Sequence, residues 1–146
     1  MVRLGDSSGD QWDDMANGYQ KITVETSVRP IGVMLERANA LLPFSEATGI
    51  LDNGCGPGPV MSRLLKDYKI PGSALITCSD FSEGMVKQVE KKKAQAVDAD
   101  GQSPWKNVET VVQNAMDLQS ISDSSRSHVT AGWVRVLGPP FVFAGH

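Results

Sequence analysis

The amino-acid sequence predicts an α/β protein in which an open parallel β-sheet carries helices on both faces. Three observations indicate this class. Short apolar runs alternate with amphipathic helical patterns, a glycine-rich loop directly follows the first apolar run, and aspartates stand at the ends of the first two runs, at Asp52 and Asp80. Such alternation is typical of βαβ units, whose ligands bind outside the carboxyl ends of the strands. A length of 146 residues corresponds to one ordinary domain.

The first predicted helix begins at Pro30, which suits a first helical turn, and Pro43 ends it. Its apolar residues recur three and four positions apart, on one face: Ile31, Met34, Leu35, Ala38, Leu41 and Leu42. The first strand is predicted over 49–52. The next helix starts near Pro59 and carries its own apolar stripe: Val60, Met61, Leu64, Leu65 and Tyr68.

The same alternation continues toward the C-terminus. A second strand is predicted over 74–78 and leads into Ser79 and Asp80, and Ser82 is placed to cap the helix that follows. That helix carries Met85, Val86, Val89 and a run of three lysines, 91–93. The remaining predictions are a loop over 98–104 and two further strands, over 108–112 and 128–134.

The chain divides into three predicted segments. Residues 1–45 are expected to form N-terminal cap helices with a flexible start, because residues 1–10 are small, polar and rich in glycine. Residues 46–134 form the ligand-binding α/β core. Residues 135–146 form an atypical tail that contains glycine and proline.

The composition excludes several classes of function. A formal net charge of −3 and a pI near 5.3 argue against a broad basic surface for nucleic acid or anionic lipid. Cys55 and Cys78 have no CxxC partner or nearby histidine, so neither a disulfide framework nor a metal site is predicted. With no signal-peptide pattern and no apolar run long enough to cross a bilayer, we expect a cytoplasmic protein without a membrane partner.

The glycine loop after the first strand is the densest signal for a binding site. Asp52 is followed by glycine at every second position, Gly54, Gly56 and Gly58. Glycine admits positive φ and lets main chain approach a ligand closely. The dinucleotide fingerprint G-x-G-x-x-G would place its third glycine where Pro59 stands, so a nicotinamide or flavin site is disfavoured. A tight turn that binds no ligand is the alternative.

The order Asp-x-Gly-x-Gly-x-Gly after a short strand resembles motif I of class I S-adenosylmethionine-dependent methyltransferases. The resemblance implies a Rossmann-like fold, here its first four strands behind an N-terminal helical cap, with S-adenosyl-L-methionine as cofactor. Main-chain N–H groups of the loop around Gly54, Gly56 and Gly58 would meet the cofactor's carboxylate. Asp52 would accept a hydrogen bond from its ammonium, directly or through water.

The end of the second strand resembles the family's motif II. The pattern Asp-x-Ser-x-x-Met runs from Asp80 to Met85. The resemblance implies that Asp80 accepts both ribose hydroxyls, as the comparable acidic residue does in dinucleotide folds, and that Phe81 lies against the adenine. The alternatives are that Asp80 only caps the next helix and that Phe81 belongs to the core.

The segment after the third strand resembles motif III, in which an acidic residue before alanine takes the adenine amino group. Asn114 occupies that place, and its amide oxygen can still accept this hydrogen bond. The main chain of Ala115 and Met116 would serve the ring nitrogens, with Asp117 as a second acceptor. The three elements follow one another at successive strand ends, so together they form the strongest signal in the sequence.

The resemblance covers roughly residues 12–134. Trp12-Asp13-x-x-Ala16-x-x-Tyr19 is similar to the N-terminal segment of the ubiquinone/menaquinone-biosynthesis type and of many fungal small-molecule methyltransferases, which implies that Tyr19 covers the methyl-donor end of the pocket. Complete members have seven strands, whereas four are predicted here. We therefore expect a C-terminally truncated chain whose fourth strand is an exposed edge, covered by the tail or used for self-association or pairing with a partner.

No catalytic residue and no metal ligand is assigned. His128 begins the fourth strand, at the end opposite the glycine loop, where a packed or solvated imidazole is expected. Cys55 is interpreted as a small filler and the lysines 91–93 as a solvated helix face. The predicted function is methyl transfer to a small-molecule acceptor; the alternatives are a catalytically silent cofactor-binding or partner-binding fragment and, less favoured, a nucleotide-dependent oxidoreductase fragment.

Overall fold

The computed structural model of the protein describes residues 27–132, which form a four-stranded parallel sheet packed with helices. In chain order the main elements are α1 (27–41), β1 (Gly49–Asn53), α2 (Pro59–Asp67), β2 (Leu75–Asp80), α3 (Glu83–Ala99), β3 (Val108–Val112) and β4 (His128–Thr130). Two 3₁₀ helices, Phe44–Glu46 and Pro104–Asn107, precede β1 and β3. Tyr19, most of the predicted cap and the predicted tail lie outside the described residues.

The strand order is β3-β2-β1-β4, and every neighbouring pair is parallel. The predicted parallel α/β class is therefore confirmed. Ile50 and Leu51 are adjacent in β1 and both are buried, which shows that both faces of the sheet are covered there. Because all strands run the same way, the segments that follow β1, β2 and β3 emerge at one edge of the sheet.

Helix α1 begins earlier than predicted. The chain is already helical at residue 27, so the prediction of a start at Pro30 is wrong. The first amides of a helix have no intrahelical acceptor, so proline fits anywhere in the first turn and does not fix the first residue. Ile31 and Leu35 are buried as predicted, but Leu41, the last residue of the helix, is 89% exposed.

The other elements follow the sequence pattern closely. Ser82 caps α3, and its hydroxyl accepts a hydrogen bond from the Met85 N–H at 3.1 Å. The predicted loop over 98–104 begins later, because α3 continues to Ala99. Strand β4 is shorter than predicted: it ends at Thr130, and residues 131 and 132 are not in a strand.

The core lies between the sheet and the helices. Its buried members are Ile31, Leu35, Phe44, Ala47, Ile50, Cys55, Val60, Met61, Leu64, Leu65, Ile76, Cys78, Val89 and Val108. The ring of Phe44 lies edge-on to Tyr68, with the centroids 5.0 Å apart, and 4.7 Å from the ring of His128. His128 is buried and its Nε2 lies 2.9 Å from the Leu42 carbonyl oxygen, so the expectation of a packed imidazole is confirmed.

The start of β1 is crowded by the segment that leads into β4. A Cβ at Gly49 would lie 2.7 Å from the carbonyl oxygen of Ser125 and 2.8 Å from Cδ of Arg126. The guanidinium of Arg126 donates from Nη2 to the hydroxyl of buried Thr77 at 3.1 Å. Gly49 is therefore needed because the segment before β4 approaches β1 closely at the edge of the sheet where these strands begin. In the described part of the chain, no helix is long and apolar enough to cross a membrane.

Gly49→Ala is expected to lower the free energy of unfolding by about 1–3 kcal/mol, because the added methyl group meets a carbonyl oxygen that cannot move freely. Urea or thermal denaturation measures the effect. Gly72→Ala is the matched control: nothing lies within 4 Å of its Cβ position, so its stability should be unchanged or slightly higher. Equal losses in the two variants would contradict the crowding at Gly49.

Candidate functional site

The segments that follow β1, β2 and β3 are tied together at the carboxyl edge of the sheet. The Gly56 N–H donates to Oδ2 of Asp80 at 2.8 Å, and Nδ2 of Asn53 donates to the Ala115 carbonyl oxygen at 3.1 Å. The Gln113 N–H donates to the main-chain oxygen of Asp80 at 2.9 Å. The structure thus brings the three predicted motifs into one hydrogen-bonded crevice.

The glycine loop depends on backbone that L side chains rarely adopt. Gly54, Gly56 and Gly58 have φ angles of 71°, 53° and 82°. A Cβ at Gly56 would meet nothing within 4 Å, so this position faces open space and leaves bare main chain toward the crevice. A Cβ at Gly58 would lie 3.2 Å from Val89 of α3, so this glycine also permits close packing of loop and helix. The loop can therefore present main chain directly to a ligand.

Asp52, in β1 just before the loop, has only one of its two carboxylate oxygens hydrogen-bonded in the described chain. The residue is buried, and Oδ1 accepts a hydrogen bond from the Thr130 hydroxyl at 2.9 Å, whereas Oδ2 has no partner among the described residues. Burial, together with the nearby charge of Asp80, raises the pKa of Asp52 from 3.8 to about 7, against the lowering effect of the Thr130 hydrogen bond. The site therefore lacks a cation or donor at Oδ2.

The Asp80 carboxylate holds both the start of α3 and the glycine loop. Its Oδ1 accepts the Ser82 N–H at 2.9 Å, at the start of α3, and its Oδ2 holds the loop through Gly56. Each carboxylate oxygen keeps further acceptor capacity, and the residue is only half buried, so two hydroxyls can still approach it. The neighbouring Phe81 is 46% exposed, which corrects the alternative that it belongs to the core.

The third junction is a tight turn. Oδ1 of Asn114 accepts the Met116 N–H at 2.9 Å, and the Asn114 carbonyl accepts the Asp117 N–H at the same distance. The Met116 amide and the Ala115 carbonyl are thus already engaged, which reduces what their main chain can offer an adenine ring. Oδ1 of Asn114 retains a second lone pair, and the side chain of Met116 is about half exposed.

Sequence reasoning missed three residues of this region. Asn53 bridges the first and third junctions, Thr130 orients Asp52, and the Nζ of Lys92 donates to the Pro57 carbonyl oxygen at 2.7 Å. The pairing of Asp52 with Thr130 depends on the register between β1 and β4, which no local pattern reveals. For Asn53 the only local signal was its place inside the motif.

Other candidate groups in the region do not add chemistry. The thiol of Cys55 is buried beside that of Cys78, and their hydrogen bond together with burial raises the pKa of Cys55 far above its usual range, which excludes a reactive thiolate. No cluster of three metal-ligating side chains occurs within residues 27–132. The cavities of about 460 and 220 Å³ both lie among the helices, and neither is lined by Asp52, Gly56 or Asp80.

S-adenosylmethionine, the cofactor that the sequence resemblance implies, fits these groups. Its ammonium matches the unpartnered Oδ2 of Asp52, whereas the N–H groups of Gly54, Cys55, Gly56 and Gly58 already donate within the protein and are not free for its carboxylate. A ribose diol suits the outer side of the Asp80 carboxylate. Phe81 and Met116, both about half exposed, offer apolar surface for a flat ring.

Comparisons with known proteins relate the chain to methyltransferases. Residues 50–140 match the family model of the methyltransferase domain. The chain is 40% identical over 125 residues to methyltransferase ucsB of Acremonium sp. and 40% identical over 76 residues to methyltransferase tpcH of Aspergillus fumigatus. These matches cover 84% and 51% of this chain.

The fold is also shared with a solved structure. A putative S-adenosylmethionine-dependent methyltransferase from Methanococcus maripaludis superposes with a TM-score of 0.57 at 19% identity, over 90% of this chain and 53% of that one. The chain spans less than half the length of the curated relatives, 43% of the first and 24% of the second. The four parallel strands are thus the Rossmann-like sheet of this fold, and the chain belongs to the methyltransferase domain family, among the class I S-adenosylmethionine-dependent methyltransferases.

Proposed function

We propose that the described residues form the S-adenosylmethionine site of a methyltransferase that acts on a small-molecule acceptor. One observation carries this proposal: three strand ends are joined by hydrogen bonds around a buried carboxylate, Asp52, whose second oxygen has no partner in the described chain. A buried carboxylate without a cation or donor is unfavourable, so the arrangement favours a ligand that brings one.

Each part of the cofactor has a proposed partner. Asp52 takes the ammonium, the glycine loop at Gly54, Gly56 and Gly58 lies against the amino-acid end of the cofactor, and Asp80 takes the ribose hydroxyls. Phe81 packs on the adenine, and the turn at 114–116 contacts its polar edge, chiefly through Oδ1 of Asn114. Tyr19, outside the described residues, is proposed to cover the methyl group.

The bound cofactor supplies an electrophilic methyl group on a sulfonium. The protein's contribution is orientation, which can supply a large part of the rate of a displacement reaction. A general base is needed only where the acceptor must lose a proton. His128 is packed against Phe44 at the opposite end of the sheet, so it is not available for this role and no catalytic base is assigned.

The acceptor class rests on charge and on the fungal relatives' resemblance to this chain. A net charge of −3 disfavours polyanionic acceptors, which favours a small molecule over a nucleic acid. We also propose a cytoplasmic location without membrane contact, and self-association of the chain through β4. Among the described strands β4 pairs only with β1, and its residue Val129 is 60% exposed.

Two measurements test the function in order. Calorimetric titration with S-adenosylhomocysteine should show saturable binding by the folded chain, and absence of binding would remove the cofactor assignment. Methyl transfer from labelled cofactor is then measured against phenols, amines and carbon acids. Turnover establishes an enzyme; binding without turnover on any acceptor would leave only the cofactor-binding role.

Asp80→Ala is expected to weaken S-adenosylhomocysteine binding about 10- to 100-fold, because it removes a charged acceptor of the ribose hydroxyls and releases the Gly56 N–H. Calorimetry gives the dissociation constants. Asp98→Ala, an exposed aspartate on α3, is the control and should bind as the wild type does. Equal affinity of the two variants would exclude Asp80 from the site.

Binding is expected to release protons near pH 6.5. Asp52 is then mostly protonated in the free protein, because its pKa is raised to about 7, and an adjacent ammonium would lower that pKa and ionise it. About 0.5 to 0.8 of a proton should leave per ligand, because a group with a pKa of about 7 is about three-quarters protonated at pH 6.5. The number is measured from the calorimetric enthalpy in buffers of different ionisation enthalpy.

The matched control for proton release is Asp52→Asn, which retains an oxygen to accept the Thr130 hydroxyl but cannot ionise. Its binding enthalpy should depend much less on the buffer. Because the pKa of Asp52 is raised, proton release on binding should decrease as the pH rises well above 7, where Asp52 is already ionised in the free protein. Equal buffer dependence in the two proteins would contradict the contact between Asp52 and the ammonium.

A further inference from the structure

The three consecutive lysines of α3 occupy three different environments. Lys91 is exposed, as the sequence predicted for the whole run. Lys92 and Lys93 are half buried, and each donates to a main-chain carbonyl: Lys92 to Pro57 at 2.7 Å and Lys93 to Val108 at 2.6 Å. The prediction of a solvated face is therefore wrong for two of the three, because successive helical residues point about 100° apart and cannot share one face.

The carbonyl that Lys92 holds belongs to the glycine loop. Pro57 stands between Gly56, which donates to Asp80, and Gly58, which lies against Val89 of α3. The same peptide group is fixed at its other end, because the Gly58 N–H donates to the Cys55 carbonyl at 3.0 Å. One peptide of the loop is thus held at its oxygen and at its nitrogen.

Helix α3 supports this loop at two points. Val89 packs beneath Gly58, where a Cβ would come within 3.2 Å of it. Lys92, three residues later and on the same side of the helix, reaches the Pro57 carbonyl. On the opposite side, Asp80 of β2 holds the Gly56 N–H. The Asp80 carboxylate therefore accepts the Gly56 N–H, and the Lys92 ammonium donates to the Pro57 carbonyl. These two bonds clamp the loop between β2 and α3.

Half-burying the Lys92 ammonium costs free energy unless its hydrogen bond to the Pro57 carbonyl compensates. Lys92 is half buried, and because its charge is partly removed from water the pKa of its ammonium is lowered. Lys92 forms no ion pair with a carboxylate among the described residues, whose ion pairs are Arg63 with Asp67 and Lys87 with Glu83. A short, charge-assisted hydrogen bond to a carbonyl is then its main compensation.

We propose that Lys92 is a positioning residue for cofactor binding, holding the Pro57–Gly58 peptide so that the glycine loop keeps its open, positive-φ geometry. The inference rests on the proposed function, since the loop is the part of the site assigned to the amino-acid end of the cofactor. Lys92 touches no reacting atom and acts only through the loop main chain.

Four variants of the whole chain test this role: Lys92→Met, Lys92→Arg, Lys93→Met and Lys91→Met. Hydrogen exchange of the loop amides in the free protein reports the clamp without any ligand. Lys92→Met should raise exchange about tenfold at Gly58, whose N–H belongs to the held peptide, and at the neighbouring Gly56, and weaken S-adenosylhomocysteine binding about tenfold. Lys92→Arg, which can still donate to the carbonyl, should recover most of both.

The other two lysines are matched controls on the same helix. Lys91→Met removes an equal charge from an exposed site and should leave exchange and affinity unchanged. Lys93→Met removes the same kind of lysine–carbonyl bond at β3, so it should lower the melting temperature while sparing the loop. If Lys92→Met is unfolded by circular dichroism, Lys92→Gln, which keeps a neutral donor, replaces it.

The outcomes separate this inference from the proposed function. Loop exchange in Lys92→Met equal to that in Lys91→Met, or a matching rise in Lys93→Met, would overturn the clamp. A wild-type chain that binds no S-adenosylhomocysteine would overturn the proposed function, while the exchange measurement would still decide whether Lys92 holds the loop. Faster loop exchange with unchanged affinity would overturn the positioning role.

Discussion

The hydrogen bond from the Gly56 N–H to the Asp80 carboxylate is the contact on which the site depends. It joins the loop after β1 to the end of β2, and the main chain of Asp80 is joined in turn to Gln113 after β3. Because the acceptor is charged, the bond is stronger than an ordinary main-chain contact. It adds to the main-chain bonds that hold this loop of unusual φ angles, from the N–H groups of Gly54 and Cys55 to the Ser79 carbonyl.

The binding surface is built largely from main chain, and this places unusual demands on the residues around it. Bare peptide groups offer close approach but have no side chain to anchor them. The anchors are therefore supplied from neighbouring elements: Asp80 from β2, Val89 and Lys92 from α3, and Asn53 across to the third junction. Loss of Val89 or Lys92 would disturb the loop without removing any side chain assigned to the ligand.

Much of the fold and the location of the site could be predicted from local pattern alone. Strand β3 and the N-cap Ser82 are specified by residues next to them in sequence, as is the junction that carries Asp80. Contacts that need tertiary register could not be predicted: the Thr130 hydroxyl on Asp52 depends on which residue of β4 lies opposite β1. Lys92 was misjudged because three lysines in a row indicate solvent unless the packing of the helix is known.

The electrostatic state of Asp52 follows from the same architecture. Packing on both faces of β1 buries the carboxyl, and the Thr130 hydroxyl satisfies only one of its oxygens, so its proton is retained to near neutral pH. An acid in this state costs less to bury than a carboxylate does, yet it can become ionised when a cation arrives. The apoprotein thus tolerates a buried acidic group that S-adenosylmethionine, through its ammonium, can use as a charge partner. Burial is the main cause of the raised pKa of Asp52, and the negative charge of Asp80 adds to it, so in the proposed complex an ammonium beside Asp52 would favour its ionised form.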